Sequence, residues 1–119
     1  TNNDVKSLLT KLEVNVNAIT EEKLNKVMDN FDEELITKNI ESLKSHNINL
    51  EILIDNIELV YDKELNEKIE KLISIGKESR DISLMPSVLI KYDLKGLNNT
   101  INVLQISGLD PKKVPLMAY

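Results

Sequence analysis

The sequence has no cysteine and no tryptophan, one histidine (His46), one arginine (Arg80), and only three glycines and three prolines. The missing cysteine excludes disulfides, thiolate metal sites and cysteine nucleophiles. One histidine without a GxSxG motif or metal-ligand spacing leaves nucleophilic and metal-assisted catalysis without a constellation. No glycine-rich loop followed by Lys-Ser/Thr is present to cradle phosphates. We therefore expect no catalytic, cofactor-binding or metal-binding residues, and a protein that is not an enzyme. Long apolar runs are also missing, far short of the roughly 20 residues that span a bilayer, and no charged-then-apolar leader opens the chain. No membrane partner is expected. A reducing compartment is allowed, and the cytoplasm is the expected location.

With 119 residues, the chain is long enough for one domain with a thin core. Aromatic residues make up only 3%, so 18 leucines and 14 isoleucines must build that core. The 14 asparagines and 14 lysines fit an A/T-rich coding bias and carry no functional signal by themselves. Net charge is −5, unevenly spread. Residues 1–60 hold 6 lysines against 12 acids, net −6, whereas residues 61–119 are net +1. An acidic chain repels phosphate backbones and keeps its surface solvated. The sequence opens without methionine and closes on LMAY in mid-pattern, which reads as a piece of a longer protein.

Along the chain, apolar residues recur at helical spacing. Val5, Leu8, Leu9 and Leu12 share one stripe, and VNVNAI (14–19) alternates like a strand but has no partner, so it is read as a connection. Thr20 before Glu21-Glu22 and Asp32 before Glu33-Glu34 are helix starts: a capping oxygen, then acids at the positive end of the dipole. Asp62 is the candidate cap of the next helix. His46-Asn47, Gly76 and Gly108 are stops. The spacing predicts a helix over 48–60 as well, a polar loop over 77–81 and a short turn over 81–85. Pro86 then opens a brief helix with Val88, Leu89 and Ile90 inside, and a longer helix follows around 97–106.

The strongest signal is internal repetition. Phe31-Asp32, Tyr61-Asp62 and Tyr92-Asp93 recur about every 30 residues, as do the inward leucines Leu12, Leu43, Leu72 and Leu104 and the stops Asn47, Gly76 and Gly108. The expected fold is all-α, a helical-repeat (α-solenoid) fragment over 1–119 as a single domain. It comprises about four helix–turn–helix units of ~30 residues that share one core. The aromatics are expected to pack at helix entries, Phe31 toward Ile36 and Tyr92 toward Leu97, and the acids at 29–34 to cap rather than hold a cation.

From Pro86 the repeat resembles the mitochondrial transcription termination factor (mTERF) motif, with Pro86, Leu89, Leu97, Leu104 and Gly108-Leu109 matching the family's pattern with one extra residue between Leu89 and Leu97. Asp110-Pro111-Lys112-Lys113-Val114-Pro115 is similar to the family's short turn into the next proline. The resemblance is clearest over 85–119. Upstream, Asn56 stands where a proline belongs, with Leu59 three later and Gly76 as the stop. It implies stacked helical units and, in many members, nucleic-acid binding.

Two functions follow as expectations. The first is a non-enzymatic helical-repeat scaffold that binds a protein or peptide partner. The second is mTERF-like nucleic-acid binding, with Lys91, Lys95, Lys112 and Lys113 as candidate phosphate contacts. Those lysines also read as a solvated face, and His46 as a helix-end residue suited to the negative dipole.

Overall fold

In the computed structural model, which describes residues 2–119, the chain is all-helical: among the described residues there are seven α-helices, four 3₁₀ turns and no strand. The α-helices are α1 (Asn3–Lys11), α2 (Glu21–Asp29), α3 (Glu33–Ser45), α4 (Leu65–Ser74), α5 (Ser79–Leu84), α6 (Val88–Lys91) and α7 (Leu94–Ile106). Residues 14–19 form a connection with one 3₁₀ turn, as their lack of a partner strand requires. The helices gather into two compact units, one ending at Lys63 and one spanning Glu64–Tyr119.

Helix starts follow the local chemistry. Thr20 Oγ1 accepts from Lys23 N at 3.3 Å, Asp32 from Leu35 N at 3.1 Å, and Asp93 from Gly96 N at 2.7 Å. Each satisfies an amide that the first turn leaves orphaned. Asp62 does not start α4 as expected. That helix begins at Leu65 after Glu64, which makes no side-chain cap of its own. The Glu64 carboxylate accepts instead from Leu94 N, at the start of α7.

Helix ends repeat one device four times. Glu13, Asn47, Gly76 and Gly108 all have positive φ, 71°, 57°, 99° and 80°. The amide after each reaches back to Leu9, Leu43, Leu72 or Leu104 at 2.9–3.0 Å, and the positive-φ residue's own amide bonds Thr10, Lys44, Ile73 or Gln105 at 3.0 Å. This is the Schellman closure, which satisfies two carbonyls that a helix end exposes. It corrects the leucine register: the first member is Leu9, completely buried, and not Leu12.

In the first unit α3 and α2 pack on the 3₁₀ helix Ile57–Tyr61, and α1 packs on α2. Leu9, Leu24, Val27, Ile36, Ile40, Leu43, Leu53 and Val60 are buried there. Each such side chain contributes about 1.5–3 kcal/mol relative to exposure. In the second unit α4 packs on α6 and α7 around Leu65, Ile69, Leu72, Leu89, Leu97 and Ile101.

Several expectations fail for identifiable reasons. Residues 48–60 form two 3₁₀ helices, Leu50–Ile54 and Ile57–Tyr61, not one α-helix. Asn49 caps the first through Glu51 N, and Asn56, whose backbone and side-chain amides both donate to Ile52 O, stands between the two helices. The supposed loop and turn before Pro86 contain α5, opened by a reciprocal box in which Glu78 N donates to Asp81. Ile90 is exposed, and so is Phe31. Leu104 is only half-buried, unlike Leu43 and Leu72, because the outer side of α7 carries no covering element.

Candidate partner-binding surfaces

The four candidate lysines all fall in the second unit, on two helices and a turn. Lys91 ends α6 and Lys95 lies in the first turn of α7, while Lys112 and Lys113 sit in the turn between α7 and the 3₁₀ helix Leu116–Ala118. They are exposed, yet the Lys91 amine is tied into the fold. Its Nζ donates to Tyr119 O at 2.8 Å and lies 5.2 Å over the Tyr92 ring. Tyr92 Oη donates to the same Tyr119 carbonyl at 2.8 Å. A hydrogen bond with Thr100, then the nearby Lys91 ammonium, holds the Tyr92 phenol below its ordinary range. Lys112 presses its stem against Gly76, and its carbonyl accepts from Lys77.

Two other lysines, not singled out from the sequence, are buried. Lys68 is 3% exposed and donates to Leu89 O at 2.5 Å and Tyr92 O at 3.0 Å, carbonyls at the end of α6. Lys77 donates to Lys112 O and Val114 O and faces the Tyr119 ring at 5.6 Å. Asn39 does in the first unit what Lys68 does in the second: its Nδ2 lies 2.8–3.1 Å from the carbonyls of Leu59, Val60 and Asp62. A signal for both was present, a polar residue inside an apolar stripe (Ile36-x-x-Asn39-Ile40 and Leu65-x-x-Lys68-Ile69). Burying such groups is tolerable only when carbonyls receive their protons. Tyr119 closes this corner, donating to Pro111 O at 2.6 Å. Burial, then the neighbouring Asp110, pushes its phenol up to about 12.

The first unit carries a groove along α1 and the start of α3. One hollow of about 360 Å³ is lined by Asp4, Ser7, Leu8, Lys11, Phe31 and Glu33. A second, of about 640 Å³, shares Lys11 and Glu33 and continues along Glu34, Thr37, Lys38 and Glu41. Phe31 is 42% exposed, so its ring forms part of the wall instead of the core. The acids outnumber the lysines on these walls, which makes the groove electronegative with one aromatic face. Sequence reasoning placed Phe31 inside because an aromatic before a capping Asp usually packs over the helix entry.

His46 caps α3, with Nδ1 2.8 Å from Ser42 O. A carbonyl only accepts, so Nδ1 carries the proton there. Asp32 caps α3 and Glu33 and Glu34 occupy its first turn; among the described residues no group of three or more acids or histidines is placed to hold a metal ion. Among the same residues no helix is long and apolar enough to cross a membrane. Fold and surfaces define an all-helical chain in which four of the seven α-helices among the described residues end by one recurring closure, and whose exposed features include a groove, a lysine-bearing corner and a partly uncovered helix face. No family model, curated protein or solved structure matches it.

Proposed function

We propose that the chain is a non-enzymatic helical-repeat scaffold that binds a basic peptide or protein segment in the groove of its first unit. The observation that carries this is the exposed Phe31 ring beside Asp4, Lys11 and Glu33, in a groove that continues along Glu34, Lys38 and Glu41. A Lys or Arg side chain over that ring gains a cation–π contact, and the flanking carboxylates supply charge complementarity. The −6 charge of residues 1–60 steers such a ligand toward this unit. Four Schellman closures, reaching back to Leu9, Leu43, Leu72 and Leu104, support the repeat reading. Nucleic-acid binding through Lys91, Lys95, Lys112 and Lys113 ranks second, since the Lys91 amine is already engaged by Tyr119.

A phage-displayed random peptide selection tests the proposal. Enriched peptides should be rich in Lys or Arg, and Phe31→Ala and Glu33→Lys should each weaken them about tenfold or more in an anisotropy titration. Enrichment of acidic or neutral peptides, or binding indifferent to Phe31→Ala, would refute it. Labelled duplex and single-stranded nucleic acid in the same assay should show no binding below about 100 μM at physiological salt. Micromolar, salt-sensitive binding abolished by Lys→Glu changes at the four lysines would put the second reading first.

A further inference from the structure

The groove of the first unit is acidic in sum, but its walls are not of one sign. Asp4, Glu33, Glu34 and Glu41 share them with Lys11 and Lys38. Lys11 lines both hollows, together with Glu33. It is exposed at the last position of α1. Lys6, Lys23 and Lys44 pair with Glu21, Asp55 and Glu13, and Lys38 is engaged within the fold. Among the described residues the Lys11 ammonium has no such partner. Its own helix offers none, since Ser7 and Leu8, one turn back, are uncharged.

We infer that Lys11 selects the ligand of the groove: an extended segment of alternating charge, in which an acidic residue lies between two basic ones. This selectivity rests on the groove reading above and goes beyond it, because net charge alone would favour the most basic segment. In the free protein, water solvates the Lys11 ammonium. A segment laid along the groove removes part of that water, and an ammonium covered without an acceptor is costly. A run of lysines or arginines adds like-charge repulsion. A ligand carboxylate at Lys11 relieves both, so this lysine rejects polybasic segments and admits mixed ones.

The length of α3 sets the spacing. One basic residue goes to Phe31, Asp4 and Glu33, and the other to Glu41. Glu33 and Glu41 are eight residues apart on α3, about 12 Å of helix. An extended chain covers that distance in about four residues. Its side chains at i, i+2 and i+4 point the same way, so all three charges face the groove. The ligand pattern is therefore Lys/Arg-x-Asp/Glu-x-Lys/Arg, with the middle residue over Lys11.

Random phage-displayed peptides selected in parallel on the unchanged full chain and on Lys11→Glu test this. Peptides from the unchanged chain should carry an acid two residues from each flanking cation, and those from Lys11→Glu a Lys or Arg in its place. Far-UV circular dichroism should show the same helix content in both proteins. For a synthetic peptide of the first set, Ala at the middle position should weaken binding to the unchanged chain about threefold or more in an anisotropy titration, and Lys there should weaken it further. On Lys11→Glu that order should invert. Lys11→Met, which keeps the stem without the charge, should lose the preference for the acid and gain none for Lys. Basic peptides enriched without the acid, or with the same pattern on both proteins, would overturn the inference and leave the groove reading standing. No enrichment of basic peptides on either protein would refute the groove reading, and the selectivity with it.

Discussion

Replacing Asn39 separates a structural amide from an incidental one. Its side chain is 1% exposed, between Ile36 and Ile40 in the apolar stripe of α3. Nδ2 stands 3.0 Å from Leu59 O, 3.1 Å from Val60 O and 2.8 Å from Asp62 O. Two N–H bonds therefore serve three carbonyls at the end of the 3₁₀ helix Ile57–Tyr61, a helix end with no Schellman closure of its own. A buried amide–carbonyl bond contributes about 0.5–1.5 kcal/mol net, and a carbonyl stripped of its partner costs about 1–3 kcal/mol. Asn39→Ala should then destabilise by about 2–4 kcal/mol, much of the stability of an ordinary domain. Asn39→Asp keeps the shape but turns an acceptor toward three acceptors. It should cost at least as much at neutral pH. Burial favours the neutral acid and raises its pKa, so the loss should shrink as pH falls below that raised value and grow as pH rises through it. Urea unfolding followed by far-UV circular dichroism, repeated at acidic and neutral pH, measures both. A loss under about half a kcal/mol for Asn39→Ala, or an Asn39→Asp variant indifferent to pH, would refute the reasoning.

Two further outcomes are expected. Leu43→Ala and Leu72→Ala should each cost about 2–5 kcal/mol, the range for emptying a packed site, whereas Leu104→Ala should cost about 1 kcal/mol because that side chain is already partly exposed. Equal losses in denaturant unfolding at all three would contradict the exposed edge of α7. In a spectrophotometric titration Tyr92 should ionise before Tyr119, which should ionise last, near pH 12. Because the folded pKa of Tyr119 is raised, its stabilising contribution is whole below about pH 10 and is lost as pH rises toward 12. Tyr119→Phe should remove the last absorbance step, and a Tyr119 that titrates with the others would contradict its burial against Pro111.

The sequence by itself determined where most helices begin and end. Thr20, Asp32 and Asp93 cap because a short side-chain oxygen reaches an amide two or three residues on. Asn47, Gly76 and Gly108 stop helices because they tolerate positive φ. Both effects are local and need no partner elsewhere in the chain. The stripes through Leu9, Leu43 and Leu72 were legible for the same reason: one helix turn sets which residues share a side. Tertiary structure decided the rest. Over 48–60 the apolar spacing suits an α-helix, but Asn49 and Asn56 bond the backbone locally and α2 and α3 seat two 3₁₀ helices there. Lys68 and Lys77 go inside because carbonyls 21 to 37 residues away receive their ammonium protons, a distance over which periodicity says nothing. Phe31 stays in the groove wall and Leu104 at an open edge for one reason: burial depends on what arrives from elsewhere to cover a side chain, and at these two places the fold brings nothing.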